Sequence, residues 1–135
     1  MKQKYKFLFK RVLYYLHGEK FFKRLNYDWK SLPSRTEIIQ NIINKKNYES
    51  YLEIGCFSNE LFNKIKIQNK IGVDPVSGGN IKATSDEFFK KNTNKFDIIF
   101  IDGLHHYDQV KKDIENSIKF LNEKGIILLH DCLPS

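Results

Sequence analysis

The stretch FDIIFIDGLHHYDQVKKDIENSIKFLNEKGIILLHD, Phe96–Asp131, decides the fold. It opens on FDIIFID, a run that hardly alternates between apolar and polar residues, as expected of a strand covered on both faces. It closes on a second such run, GIILLHD. Between them Tyr107, Val110, Ile114, Ile118 and Leu121 fall at helical spacing on one face, with Lys111, Lys112, Asp113 and Glu115 pointing outward. Strand, crossover helix, strand is the building unit of a parallel sheet.

Working outward, YLEIG, ending at Gly55, and KIGVD, ending at Asp74, are two more short apolar runs. They alternate with segments of helical period, which extends the unit into an α/β series. A weaker strand is expected near Ile81–Thr84, followed by a helix from Ser85, because Thr84 and Glu87 have capping-box spacing. Upstream, Ile38, Ile39, Ile42 and Ile43 repeat at i, i+4 on one helix face, with Ser34 as N-cap after Pro33. There is no internal repeat or low-complexity tract.

The chain has 135 residues, enough for one core. With 41% hydrophobic and 14% aromatic residues it has the composition of a globular protein. The net charge of +7 points at first to nucleic acid, but residues 1–50 carry 12 Lys and Arg against 4 Asp and Glu, while residues 51–135 carry 11 against 12. The excess belongs to the first third alone, so no nucleic-acid partner is expected. Two cysteines, Cys56 and Cys132, make no disulfide framework and fit a reducing, cytoplasmic compartment. In the N-terminal MKQKYKFLFKRVLYYLHGEKFFKRL, Lys10 and Arg11 interrupt the apolar run and no small-residue cleavage site follows. The run is also shorter than the about 20 apolar residues that cross a bilayer. The expectation is a basic helical extension over residues 1–33, with at most weak peripheral membrane contact, and an α/β domain over residues 34–135.

Ligands of open α/β sheets bind outside the carboxyl ends of the strands. The strong strand candidates end at Gly55, Asp74, Asp102 and His130-Asp131, which would converge on one rim. Glu53, Gly55 and Asn59 form an E-x-G-x-x-x-N pattern. Glycine there allows a tight turn and close approach to a ligand, and asparagine tolerates the left-handed conformation. Asp74, nineteen residues after Gly55, is placed to accept hydrogen bonds from ribose hydroxyls. A nicotinamide-dinucleotide fingerprint needs G-x-G-x-x-G, and this loop has one glycine.

The ordered set from Ser34 to Pro134 resembles the class I S-adenosylmethionine-dependent methyltransferases, with an acidic residue, a variable one and glycine closing the first strand, then acidic residues closing the second and fourth. That resemblance implies a Rossmann-like, mostly parallel sheet of order 3-2-1-4-5. It further implies a cofactor site drawn from Glu53, Gly55, Cys56, Asn59, Asp74, Asp86 and Asp102. Glycine usually stands where this chain has Asn59. IDGLHHYDQVKKDIENSIKFL followed by GIILLHDCLP is similar to a narrower subgroup, the methyltransferases related to macrocin-type sugar O-methyltransferases. In that subgroup a divalent metal, usually magnesium, is held by carboxylates after the fourth and fifth strands, and a histidine three residues past the first carboxylate is the base. Carried over by position, these are Asp102 and Asp131 for the metal and His105 for the base, with Asp102 on the catalytic side as well. His130 stands where relatives can have another acidic ligand. The chemistry implied is O-methylation of a small hydroxylated acceptor such as a sugar or glycan precursor.

In the implied order the fourth strand separates the first from the fifth, about 9–10 Å apart. That exceeds the ~7 Å Cα limit for a disulfide, so Cys56 and Cys132 are expected as free, packing residues. His106 is expected to pack against the crossover helix. The familiar fold of this class has two further strands, absent from the sequence before Ser135. Either the sequence is a fragment or a natural truncation, or the exposed sheet edge invites another chain, as in a homo-oligomer. The residues leave two other readings open. One is a truncated, non-catalytic module that joins a partner; the other is a metal-dependent hydrolase using Asp102, His105, His106 and Asp131.

Overall fold

The computed structural model describes residues 31–131. Residues 1–30 of the basic extension and Cys132 lie outside the described residues. The order is α1 (Arg35–Lys46), β1 (Ser50–Ile54), α2 (Glu60–Lys64), β2 (Asn69–Val73), α3 (Ser85–Lys91), β3 (Phe96–Ile101), α4 (Tyr107–Lys119) and β4 (Leu121–Leu129). Helix α1 starts where expected: Ser34 and Glu37 form a capping box, each side chain serving the other's backbone N–H. It stops at Asn47, whose left-handed φ of 54° ends the helix. Thr84 and Glu87 make the second capping box, at α3.

All strands are parallel, in the order β2-β1-β3-β4. Here β3 and β4 are the strands read from the sequence as fourth and fifth. The weak strand near Ile81 is reduced to one bridge, Val73↔Ile81, beside β2. The Ile81 N–H on the Gly72 carbonyl and the Asp74 N–H on the Ile81 carbonyl make that bridge, and just before it Gly79, at φ 73°, turns the chain away so that the Asn80 N–H shares the Gly72 carbonyl. The 3-2-1-4-5 pattern survives with its first member shortened to that contact.

Side chains alternate across the sheet. One face sets Tyr51, Ile98 and Phe100 against Ile39 and Ile43 of α1 and Leu61 and Phe62 of α2. The other sets Leu52, Ile54, Val73, Ile99 and Ile101 against Phe88 and Phe89 of α3, with Ile114 and Phe120 packed at the margin. Phe89 and Phe120 stack with centroids 5.6 Å apart. Of the isoleucines expected on one α1 face, Ile39 and Ile43 are buried, and Ile38 is exposed.

Helix α4 departs from expectation. Its buried residues are Asp113 and Ser117, whereas Tyr107 and Ile118 face solvent. The helix is rolled so that Asp113 reaches polar partners: Gln109 donates to it at 3.1 Å, and Ser85 also bonds its carboxylate. Beneath α4 the sheet runs out at β4, the edge strand among the described residues, so part of the apolar stripe has nothing to cover. For the same reason β4 is half-buried rather than covered on both faces.

Candidate functional site

The carboxyl ends of β1, β2 and β3 meet as the sequence implied. Gly55 has φ 86°, and a Cβ there would lie 2.2 Å from the Asp102 carbonyl oxygen and 2.7 Å from Gly103 Cα. The close approach that requires glycine is thus between the first and third strand ends, not between backbone and ligand. Asp102 completes the junction by donating its N–H to the Ile54 carbonyl at 2.8 Å.

Beyond Gly55 the chain enters left-handed conformations again at Phe57 (φ 43°) and Asn59 (φ 62°). For a bulky residue such as Phe57 this is strained unless the surroundings fix it. Asp74 does the fixing. Its Oδ2 accepts from the N–H groups of Cys56 (3.1 Å) and Phe57 (2.8 Å), and its Oδ1 from those of Val76 (2.8 Å) and Ser77 (3.0 Å). Burial alone would raise the Asp74 pKa, but the amide donors of Ser77, Phe57, Val76 and Gly78 outweigh it and hold the pKa below the ordinary aspartate value. Four amides fill the about four lone-pair sites of a carboxylate. In this structure Asp74 therefore clasps the loops after β1 and β2, in place of the free ribose acceptor expected from the sequence. Asn59 adds a tie, accepting from the Gly79 N–H at 2.6 Å.

A cavity of about 630 Å³ opens on this rim. Gly55, Asp74, Asp86 and Asp102 line it, together with Gln109 and Asp113. Phe57, Val76 and Leu104, exposed by 79%, 75% and 67%, form apolar lips at its mouth. Gln109 is pinned by three acceptors, the Ser85 hydroxyl and the Asp86 and Asp113 carboxylates. Asp113 is buried, and desolvation raises its pKa. The volume falls within the roughly 300–1,000 Å³ of small-molecule sites. Apolar surfaces for a base beside acceptors for N–H and O–H groups are what an adenosyl group needs, so these residues fit the cofactor implied by the resemblance.

Glu53, Cys56 and Asn59 are not on the cavity wall. Glu53 is buried on the opposite face of β1, where it accepts from the Tyr51 hydroxyl. Burial pushes its pKa up to about 7. The Cys56 thiol is free and buried, and its pKa is pushed up chiefly by desolvation.

Asp102 is the hub of the rim. Arg35, from the first turn of α1, donates to its Oδ2 at 2.8 Å. On Oδ1 lie His130 Nδ1 at 3.0 Å and His105 Nε2 at 3.6 Å. The ligating atoms of Asp102, His105 and His130 all fall within 4.8 Å of one another. Asp131 stands at the edge of this group, with φ 50° and Oδ1 3.4 Å from His130 Nδ1. The structure thus gathers one carboxylate and two imidazoles where the sequence reading set the carboxylates of Asp102 and Asp131. Magnesium prefers oxygen ligands in near-octahedral order, and this donor set does not fit it. His106, expected to pack on α4, is instead the exposed N-cap of that helix without a side-chain cap bond.

Sequence reading missed Arg35, Gln109 and Asp113 as members of the rim and gave His130 no role of its own. The i, i+4 pair Gln109 and Asp113 was a usable signal, a polar couple on one helix face beside an apolar stripe.

A parallel sheet flanked by helices, with a glycine turn after its first strand and acidic residues closing the next two around a rim cavity, defines the class I methyltransferase arrangement. The sequence comparison agrees, and the chain belongs to this family: the family described as "Methyltransferase domain" matches residues 61–132. Among curated proteins the chain is similar to "Uncharacterized protein R132" of Acanthamoeba polyphaga mimivirus. The two are 30% identical over 130 residues, covering 70% of this chain and 57% of the relative. The chain therefore spans a little over half the length of that protein. Among the described residues no helix is long and apolar enough to cross a membrane.

Proposed function

We propose that this chain is an S-adenosylmethionine-dependent O-methyltransferase acting on a small hydroxylated acceptor, such as a sugar or glycan precursor. The observation that carries the reading is the cavity of about 630 Å³ at the joined ends of β1, β2 and β3. The cofactor, when bound, supplies a methyl group activated on a sulfonium. The chain's own residues bind and orient. Phe57, Val76 and Leu104 offer apolar surface to the adenine, and Asp86 and Gln109 offer polar contacts along one wall. Gly55 and the Asp74 clasp keep the rim in register.

Methyl transfer is an in-line displacement in which the sulfur–carbon bond breaks as the oxygen–carbon bond forms, so alignment is the main requirement. The acceptor hydroxyl must also lose its proton. An imidazole is suited to take it near neutrality, and His105, half exposed above Asp102, is the candidate base, with His130 beside it. The preference for a sugar rests on the resemblance to macrocin-type enzymes and on Asp102, a residue of the cavity wall whose carboxylate gathers Arg35, His105 and His130.

Calorimetry of the intact chain with S-adenosylhomocysteine tests the cofactor assignment, and labelled methyl transfer to a panel of sugars against catechols tests the acceptor. Absence of nucleoside binding would remove the reading. The half-buried β4, with Leu129 exposed, favours one second reading, a module that associates through this edge. Light scattering that finds only assembled chains without cofactor affinity would establish it.

A further inference from the structure

We propose that Asp102, His105 and His130 form a binding site for a borderline first-row divalent ion such as zinc, cobalt(II) or nickel, and that the site discriminates against magnesium. The geometry carries this. An ion with bonds of about 2.0–2.1 Å places neighbouring ligand atoms about 3.0–3.4 Å apart. Here Asp102 Oδ1 is 3.0 Å from His130 Nδ1 and 3.6 Å from His105 Nε2, and all three ligand atoms lie within 4.8 Å of one another, so side-chain rotation can bring them onto one ion. The two imidazoles are inclined at 68° with centroids 6.3 Å apart, so their planes cross instead of stacking.

The surroundings support an ion as well. Arg35 holds Asp102 Oδ2 at 2.8 Å, which fixes the carboxylate and turns its other oxygen to the imidazoles, as an outer partner of a metal ligand does. His105 is 53% exposed and His130 31%, so an ion can enter and keep open positions. Asp131 adds negative charge at the rim from outside the three-residue cluster. Imidazole nitrogen suits zinc, copper, iron and nickel, whereas magnesium selects oxygen and retains its waters. An ion here supplies Lewis acidity next to the cavity. An imidazole nitrogen that ligates it has no lone pair left for a proton, so the loaded chain does not use that nitrogen as a base.

The test uses the intact chain, stripped with a chelator and titrated with cobalt(II) without any nucleoside. Ligand-field absorption should saturate at one equivalent, vanish on adding zinc, and persist in about a hundredfold excess of magnesium. H105A and H130A should each weaken cobalt affinity by at least about tenfold, while D131N changes it less than about threefold. Cobalt-shifted imidazole N–H proton resonances of the unsubstituted chain give a readout that needs no variant, and two histidines should be seen. Absence of stoichiometric binding, displacement by equimolar magnesium, or unchanged affinity in both histidine variants would overturn the proposal. Because no nucleoside is present, such a failure leaves the S-adenosylhomocysteine result, and the function proposed from it, standing or falling separately.

Discussion

A carboxylate shut away from water is costly when charged, and Glu53 is only 2% exposed, with its pKa raised by burial to about 7. The folded chain holds the Glu53 proton more tightly than the unfolded chain, whose reference value is 4.5. Between those values folding takes up a proton, so stability falls as pH rises from about 4.5 to about 7 and levels off above. Replacing Glu53 with glutamine, which keeps an acceptor for the Tyr51 hydroxyl, should remove that slope and stabilise the chain near pH 8 by about 2–3 kcal/mol. Denaturant melts at about pH 5 and pH 8 check it; a slope unchanged in E53Q would exclude Glu53 as its source. Gly55→Ala is the opposite kind of change. With φ at 86° and a Cβ meeting the Asp102 carbonyl, it should cost about 3 kcal/mol or more, read as a fall in melting temperature. Gly55 was visible in the sequence because an apolar run stops abruptly there, whereas Glu53 was read as a cofactor residue and is instead buried against Tyr51. The partnership of Arg35 with Asp102 was not, since 67 residues separate them and only the folded chain brings α1 over the rim.

Between single residues and the whole fold, the loop after β1 depends on the loop after β2 through one side chain. Asp74→Asn leaves a single acceptor oxygen in place of two, so about half of the four amides now bound lose their partner. At about 1–3 kcal/mol for each buried donor left unsatisfied, the variant should lose at least about 2 kcal/mol. Hydrogen exchange should accelerate at Cys56 and Phe57, or at Val76 and Ser77, depending on which oxygen the amide nitrogen replaces. If neither pair exchanges faster, the clasp is not what holds the loops. The Asp74 pKa is lowered on folding, so its contribution is present above the unfolded aspartate value and is lost as pH falls through the folded one. Helix α4 teaches a related point. Its periodicity correctly announced a helix, but a helical wheel names a face and not its neighbour. The roll that buries Asp113 and Ser117 is set by Gln109, Ser85 and the narrow sheet beneath. Ile118→Lys should accordingly stay within about 0.5 kcal/mol of the natural chain. Ser117→Leu, at a fully buried position, should cost about 1–3 kcal/mol by overpacking. Paired thermal melts of the two variants decide between this roll and the reverse one.

For the molecule as a whole, parallel connectivity was legible because consecutive strand candidates were separated by helical segments, and that alone sends every carboxyl end to the same side. The weak strand at Ile81 was harder to read, since it pairs at one bridge only and has no run of paired residues to leave a pattern. This topology also makes the rim sensitive to global unfolding, because the cavity wall is assembled from segments that share no contact in the unfolded chain. Ligand that binds only the folded chain stabilises it by about 2.7 kcal/mol when present at about a hundred times its dissociation constant. For a domain near this size that corresponds to a rise in melting temperature of roughly 10 °C. S-adenosylhomocysteine should produce that rise, and methionine alone should not, since the proposed site assigns the apolar lips at Phe57, Val76 and Leu104 to a base and not to an amino acid. Gly55→Ala should abolish the increment as well as lower the starting temperature, because it disrupts the junction that forms the cavity floor. Ile118→Lys, on the far side of α4, should leave the increment intact. A full increment in G55A, or equal shifts from methionine and from the nucleoside, would mean that the ligand does not occupy the ends of β1, β2 and β3.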